Sequence, residues 1–386
     1  MKEDIMNFEL TEQQKAIQEA ARKFAQEELL PGVLERDEKS EFPVEQFHKA
    51  GELGFIGLPY PKEYGGQGLG YMEYALAVEE VSKVDASFGI AFSVTTSLYA
   101  GSVWNSDATE EQKKAFLPEV LSGKALGSFG LTEPNAGSDA GGCITTAVKD
   151  GDEYVINGLK CFNTNGPLAK YTAVYALTEP EKKSKGLACF IVDRENTAGV
   201  RTGKIENKMG IRSAQVSEVI FENCRVPAFN KVAQDGNGFK TAMKTLNCGR
   251  IGVAAQGLGI AEGAFERAKE YMKEREQFGK PIAKFQYLQF KMAELAVKIE
   301  AAKYMLYKAA TDHDTGKPYD QSAAKAKYLC TNVAMEVTEW AVQFMGGNGY
   351  MKEYHVERMF RDAKITQIYE GTNEIQQLIV GGALFR

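Results

Sequence analysis

Ile144-Thr-Thr-Ala-Val-Lys-Asp-Gly-Asp-Glu-Tyr-Val-Ile-Asn-Gly-Leu-Lys-Cys-Phe162 is where the chain changes character. Three short segments, Ile144–Val148, Glu153–Ile156 and Leu159–Phe162, are punctuated by Asp150-Gly151 and Asn157-Gly158, dipeptides that supply the positive φ angles of tight hairpin turns. The series continues through Tyr171–Leu177, Gly186–Val192 and Ser217–Phe221 and ends near Arg225-Val-Pro227. Short strands joined by turns, with no helix between them, predict a small antiparallel sheet or barrel.

On both sides of this stretch the hydrophobic period becomes helical. Upstream, Thr11-Glu-Gln-Gln14 fits a capping box ahead of Ile17, Ala20, Ala21, Phe24 and Leu29, and Pro31-Gly32 closes the run. A second box, Thr109-Glu-Glu-Gln112, precedes Phe116, Val120 and Leu121 and is stopped by Gly123. Downstream, Phe285, Leu288, Met292, Leu295, Ile299, Ala302 and Leu306 recur at alternating spacings of three and four, the seam of a helix in a bundle. Further helical patterns cover 239–274 and 322–345. The 386 residues accommodate two or three domains. The pattern divides them into an N-terminal helical domain over 1–123, a β domain over 124–232 and a helical bundle over 233–386.

Composition removes several chemistries. Hydrophobic residues at 44% and charged residues at 25% describe a globular chain able to bury a core. A net charge of −6 argues against a nucleic-acid partner or an anionic membrane surface. The three histidines, His48, His313 and His355, stand at no metal-ligand spacing, so neither a His-based zinc site nor a Ser–His–Asp triad is expected. Of the six cysteines the nearest two, Cys143 and Cys161, are 18 residues apart, which reads as free buried thiols in a reducing compartment. Met1–Phe8 is charged and lacks an apolar signal core, and Ile251–Ile260 is broken by Gln256 and too short for a bilayer. A cytoplasmic protein without membrane insertion is the expectation.

The 38 glycines suggest a nucleotide site. Yet Gly257-Leu-Gly259-Ile-Ala-Glu-Gly263 misplaces its last glycine for a dinucleotide fingerprint and lies within a helical pattern, where small residues serve close helix approach. Gly127-Ser-Phe-Gly-Leu-Thr-Glu-Pro-Asn-Ala-Gly-Ser-Asp139 begins as a strand and turns polar, exposing Thr132, Ser138 and backbone N–H groups to an anion or a ring edge. Taken alone it reads first as an ordinary polar turn. Ile368-Tyr-Glu-Gly-Thr-Asn-Glu374 sets Glu370 ahead of a helix with Thr372 as N-cap, where the helix end favours the anion, and Gly371 admits a close neighbour. Gln343-Phe-Met-Gly-Gly-Asn-Gly-Tyr350 fits a helix C-cap and turn.

Together, Gly127–Asp139, Asn157–Gly166, Leu246–Arg250, Arg275–Gln286, Gln343–Tyr350 and Ile368–Gln376 stand in the order and at the spacing of the acyl-CoA dehydrogenases. The resemblance spans essentially the whole chain and is nearest to short-chain (butyryl-CoA) dehydrogenases. It implies an α+β multidomain fold with an N-terminal α-helical domain, a middle antiparallel β-barrel and a C-terminal four-helix bundle. It also implies FAD between these domains, and a homotetramer, a dimer of dimers, in which one subunit completes its neighbour's flavin site. Phe129, Leu131, Thr132 and Ser138 resemble the loop lining the flavin; Phe162 and Thr164 match the aromatic over the ring and the threonine near N5. Arg275, Gln277, Phe278 and Gln286 resemble the stretch reaching a neighbouring subunit's FAD, and Gln343, Gly346 and Gly347 its matching contact. Thr372 and Glu374 follow onto the cofactor, while Ser138, Asn247, Arg250, Tyr369 and Gly371 fall at substrate positions.

Glu370 resembles the family's base, which removes the α-proton of an acyl-CoA as a β-hydride passes to flavin N5, leaving trans-2-enoyl-CoA. In the family, hydrogen bonds from the ribityl 2′-hydroxyl and the backbone N–H of that glutamate stabilise the enolate, and desolvation by substrate raises the carboxylate's basicity. Some relatives carry the base at the position matching Gly249, where glycine cannot serve. Departures from the family pattern include Asn247 for Asp, Phe162 for Trp, Cys248 for Gly and Pro167 after Gly166. They bear on the acyl group more than on the reaction. The resemblance implies an electron-transferring flavoprotein as redox partner and admits the reverse reduction. Branched-chain, acryloyl-type or aromatic substrates, a non-catalytic scaffold, and an oxidase remain as alternatives.

Overall fold

A computed structural model of the chain describes residues 9–385, so the leader reading of Met1–Phe8 lies outside the described residues. The first part is helical. Its helices are α1 (Glu12–Phe24), α2 (Val33–Lys39), α3 (Val44–Glu52), α4 (Tyr71–Ser82), α5 (Ala86–Ser93), α6 (Gly101–Trp104), α7 (Glu110–Phe116) and α8 (Pro118–Leu121). Both capping boxes form. Gln14 N–H donates to the Thr11 hydroxyl at 3.2 Å and Thr11 N–H to the Gln14 side chain at 3.0 Å, and Thr109 and Gln112 repeat the exchange. A π-helical stretch, Val94–Ala100, links α5 to α6 without a break. Such wide turns often mark functional sites, and this one carries Leu98.

The strands are β1 (Gly127–Gly130), β2 (Thr146–Asp150), β3 (Glu153–Thr164), β4 (Tyr171–Leu177), β5 (Leu187–Asp193), β6 (Val200–Ile205), β7 (Val216–Pro227) and β8 (Lys231–Ala233), with a small β9–β10 ribbon (Glu276–Gln277 and Lys280–Pro281). Two expectations need correction. The sheet runs β6-β7-β3-β2-β4-β5-β8 and stays open, so it is not a barrel, nor is it wholly antiparallel. One edge of β4 is divided between β1, which pairs with it in parallel over Gly127–Gly130, and β2, which meets it in parallel only at Thr146 and Leu177. The outer strands β6 and β8 never meet. Asn157-Gly158 is likewise no hairpin. It is a bulge inside the 12-residue β3, where the register against β7 shifts. Gly158 takes φ +154 against Thr145, and Asn157 Oδ1 accepts from Asn223 N–H at 2.7 Å. β4 is buried at every position, which explains its unbroken apolar run.

The last part is a helical bundle of α9 (Gly238–Glu274), α10 (Gln286–Asp314), α11 (Asp320–Met345), α12 (Val356–Thr366) and α13 (Asn373–Leu384), in which three helices are long and two are short. The expected α10 seam is inward, with Leu295, Ile299, Ala302 and Leu306 buried. The glycines of α9 act as spacers. A Cβ at Gly259 or Gly263 would strike the backbone carbonyls of Glu79 and Lys83, and one at Gly252 the Tyr74 and Ser93 hydroxyls. Around that contact Lys83 bridges Glu262 at 2.7 Å and Glu80 at 3.0 Å, Lys303 pairs with Glu262, and Arg22 reaches Glu80 at 3.1 Å. All six cysteines are buried and unpaired. No helix of the described residues is long and apolar enough to cross a membrane.

Gly259→Ala gains helix propensity yet has to push α4 aside at a backbone oxygen, so a net loss of about 1–3 kcal/mol is expected. Denaturant unfolding of the variant against the wild-type protein measures it.

Candidate active site

The turn between α12 and α13 carries Glu370. Glu370 and Gly371 both take left-handed backbone, φ +55 and +90, which is costly for a glutamate and ordinary for a glycine. Thr372 caps α13 as expected, its hydroxyl accepting from Ile375 N–H at 3.4 Å. The turn is tied down on every side. Asn373 N–H donates to Gln367 O at 2.9 Å, Gln376 Nε2 and Lys327 Nζ both donate to Gly371 O at 2.8 Å, and the Tyr369 hydroxyl donates to Gln256. Gln256 in turn donates to Ala86 O at 2.8 Å, joining the turn to α9 and α5.

The Glu370 carboxylate points at α9. A Cβ at Gly249 would overlap Oε2, and would lie 2.7 Å from Leu98 Cδ2. Although the residue is only partly buried, both carboxylate oxygens are sealed from solvent and accept no hydrogen bond among the described residues. Burial pushes its pKa up to about 7, against the opposing charges of Lys327 and Arg250. The anion-favouring effect expected from the α13 N-terminus is thus outweighed by desolvation. Arg250 is buried beside the turn, Nη2 standing 3.7 Å from where a Gly371 Cβ would be, and Nη1 donates to Asn247 Oδ1. Glu370, Gly371, Tyr369, Arg250 and Asn247 are therefore one constellation.

A second group forms where β1 leaves the helices. Cys161 N–H donates to Thr132 O at 2.9 Å, and buried Lys160 donates to Leu131 O at 3.1 Å and Glu133 Oε1 at 2.7 Å. Glu133 also accepts from the N–H groups of Ile144 and Thr145, which with Lys160 hold its pKa low despite burial. Phe129 packs against Tyr175, while Ser138 is exposed. Phe162 is 66% exposed with φ +56, its ring uncovered at the end of β3 beside Thr164. Asn165, also left-handed, donates to Ala91 O, Thr95 Oγ1 and Gly127 O, locking this corner to α5 and β1.

A third group lies apart. Arg275, Gln277, Phe278, Gln343, Gly346 and Gly347 line one groove of about 1000 Å³, so two stretches distant in sequence become its facing walls only through the fold. Gln286 is not among the lining residues. None of the described residues lies within 4 Å of where a Cβ of Gly346 or Gly347 would be, so that wall is open to a ligand. Thr372 and Glu374 face a separate polar cleft of about 280 Å³ with Tyr328 and Lys364.

Family models match the chain in three consecutive pieces. They are the acyl-CoA dehydrogenase N-terminal domain over 11–124, the middle domain over 128–224 and the C-terminal domain over 236–385. The chain belongs to the acyl-CoA dehydrogenase family. It is 49% identical to the short-chain specific acyl-CoA dehydrogenase of Clostridium acetobutylicum, covering 99% of this chain and all of that protein. Butyryl-CoA dehydrogenase from Megasphaera elsdenii superimposes with a TM-score of 0.96 at 48% identity, covering 99% of this chain and 100% of that one. A chain from the structure of the electron transferring flavoprotein of Acidaminococcus fermentans, described as a step towards a mechanism of flavin-based electron bifurcation, gives 0.97 at 50% identity, again over 99% and 100%. The cofactor class that accompanies this family is a flavin, as in the similar solved structures of a glutaryl-CoA dehydrogenase with FADH2 and of PigA with FAD.

Sequence reasoning missed Lys327, Gln256 and the Lys160–Glu133 pair. Lys327 had a readable signal, because it falls among Ala323, Ala324, Ala326 and Cys330, all buried in α11.

A carboxyl whose pKa is raised on folding holds its proton where the unfolded chain has lost it, so stability falls as pH rises between about 4.5 and 7. Glu370→Gln removes that loss. Its melting temperature is expected to exceed the wild type's at pH 8, with the difference shrinking towards pH 5, as calorimetry at the two pH values measures.

Proposed function

We propose that this protein is an FAD-dependent short-chain acyl-CoA dehydrogenase that converts an acyl-CoA to the trans-2-enoyl-CoA, or catalyses the reverse reduction, with Glu370 as the α-proton base. The observation that carries the reading is the Glu370 carboxylate, sealed from water, without a hydrogen bond and lodged against Gly249 beside Arg250. An α-C–H is a weak acid, and a carboxylate in water is too well solvated to take its proton. Stripped of hydrogen bonds and raised to about 7, Glu370 is a stronger base that still ionises near neutrality. Its own backbone N–H engages no acceptor among the described residues, which leaves it free for the thioester carbonyl of a substrate.

The residues present fit FAD. Phe129, Leu131, Thr132, Ser138, Phe162 and Thr164 would face the ring; the bonds from Cys161 N–H to Thr132 O and from Lys160 to Leu131 O hold the stretch after β1 against β3. The groove offers the Arg275 guanidinium, aromatic walls from Phe278 and Trp340, and the open Gly346-Gly347 backbone, a donor set suited to a dinucleotide. In the proposed tetramer this groove and Gln286 serve a neighbour's cofactor, while Thr372 and Glu374 serve the subunit's own. Bound FAD would supply the acceptor for the β-hydride. Asn247, Arg250, Tyr369, Gly371 and Ser138 are the proposed substrate contacts.

Three features support the finer reading. Beyond Gly249 the next small site on α9, Gly252, is filled by the Tyr74 and Ser93 hydroxyls, which limits depth and favours a short acyl chain. The outer face of α10 exposes Tyr287, Phe290, Val297 and Tyr304, and Phe278 is 93% exposed, an apolar surface that another copy of the chain would cover. An electron-transferring flavoprotein is the proposed redox partner, in keeping with the flavoprotein structure to which this chain is similar. The proposed domain limits are 1–123, 124–232 and 233–386, and the proposed location is the cytoplasm.

Anaerobic titration of the purified yellow protein with linear and branched C3–C8 acyl-CoAs, followed by bleaching of the flavin, tests the substrate. Butyryl-CoA is expected to bleach it fastest. Glu370→Gln should bind FAD and acyl-CoA yet lose at least about 10³-fold in kcat. Turnover near the wild-type rate would sink the assignment. The wild-type kcat/KM should fall on the acid side of about pH 7, where the base becomes protonated.

A further inference from the structure

Lys327 is fully buried on the inward face of α11, and a buried ammonium has to find acceptors. Its Nζ donates to the Gly371 carbonyl at 2.8 Å and to Asn373 Oδ1 at 3.1 Å. The first acceptor lies in the turn that carries Glu370, and the second opens α13 directly after it. Gln376 Nε2 takes the same carbonyl at 2.8 Å, and Asn373 Nδ2 donates back to Thr331 and Asn332 of α11, each at 3.0 Å. A glutamate stays left-handed only where its surroundings over-determine it, and these bonds do so. Among the described residues every hydrogen bond that Lys327 makes goes to a neutral oxygen and the Glu370 carboxylate accepts none, so the ammonium charge is left for that carboxylate to balance.

We propose that Lys327 is a positioning residue for the base. It pins the Gly371 carbonyl and Asn373 so that the Glu370–Gly371 pair keeps its left-handed form, and it sets a positive charge near a carboxylate that accepts no hydrogen bond among the described residues. The proposal rests on the reading of Glu370 as the base. The groups facing Glu370 are Lys327 from α11, Arg250 from α9, Tyr74 from α4 and its neighbour Tyr369. Lys327 in turn faces Glu370, Arg250 and Glu374. Burial drives Glu370 up, and Lys327 and Arg250 pull it back; burial drives Lys327 down to about 7, and Glu370 supports its charge. Removing the ammonium leaves burial opposed by Arg250 alone, so the carboxyl midpoint rises.

The test uses the FAD-loaded enzyme and the variants Lys327→Met and Lys327→Gln. The Glu370 carboxyl is titrated by infrared difference spectroscopy on protein labelled with ¹³C-glutamate, with Glu370→Gln identifying its band. Lys327→Met is expected to raise the midpoint by about one pH unit or more, move the acid limb of kcat/KM the same way, and lower kcat at least tenfold with KM within threefold. Lys327→Gln keeps a donor without the charge, and should recover part of kcat while leaving the midpoint high. An unmoved midpoint in both variants, whatever their loss of activity, overturns the proposal. Should the Met variant fail to fold, the midpoint in the Gln variant decides. Turnover by Glu370→Gln would instead refute the base, and the infrared midpoint, which needs no turnover, would still judge Lys327.

Discussion

Backbone-to-backbone contact along α9 sets the terms for everything around it. Gly252, Gly259 and Gly263 let α4 and the Tyr74 and Ser93 hydroxyls lie closer than any Cβ allows, and Gly249 leaves the room into which the Glu370 carboxylate fits. One helix thereby fixes the N-terminal helices on one side and the α12–α13 turn on the other. The buried ion pairs among Lys83, Glu80, Glu262 and Lys303 lie at the same junction. Buried pairs are poor sources of net stability, but breaking one leaves an unpaired charge, so they penalise any shift of α4, α9 and α10.

Placing an unbonded carboxylate in that room has a cost that the rest of the turn offsets. Glu370 is strained in backbone and desolvated in side chain, two features that a stable protein avoids unless the site needs them. The bonds that Lys327 and Gln376 donate to the turn, and the one that the Gln367 carbonyl accepts from Asn373 N–H, are the counterweight. A hydrogen bond to the carboxylate itself would lower the cost further, but it would also lower the basicity that the proposed reaction requires.

Much of the fold was legible in the sequence because its signals are local. The capping boxes at Thr11 and Thr109 and the seam of α10 report contacts within three or four residues, and they formed as read. Asn157-Gly158 misled because a turn dipeptide and a bulge look alike until the partner strand is known, and only β7 decides between them. The open sheet was hidden for a similar reason, since the parallel pairing of β1 with β4 joins residues 44 positions apart, as Gly127 with Tyr171. At the site, motifs located the Glu370 turn and the two walls of the groove. Lys327 belongs to no motif, and its role depends on a carbonyl 44 residues away.

The geometry at Gly249 also bears on whether the proposed base stands on the helix or on the turn. The Cα–Cβ direction at Gly249 points at Glu370 Oε2, so a side chain from α9 and a carboxylate from the turn compete for one volume. Leu98, on the π-helical stretch, bounds that volume from a third side. Any side chain at 249 would therefore displace the Glu370 carboxylate, so position 249 has to be small while the carboxylate comes from the turn. What changes between the two arrangements is the support. A base on α9 would inherit the rigidity of a 37-residue helix, whereas one on the turn depends on Lys327 and its neighbours to hold a strained backbone in place.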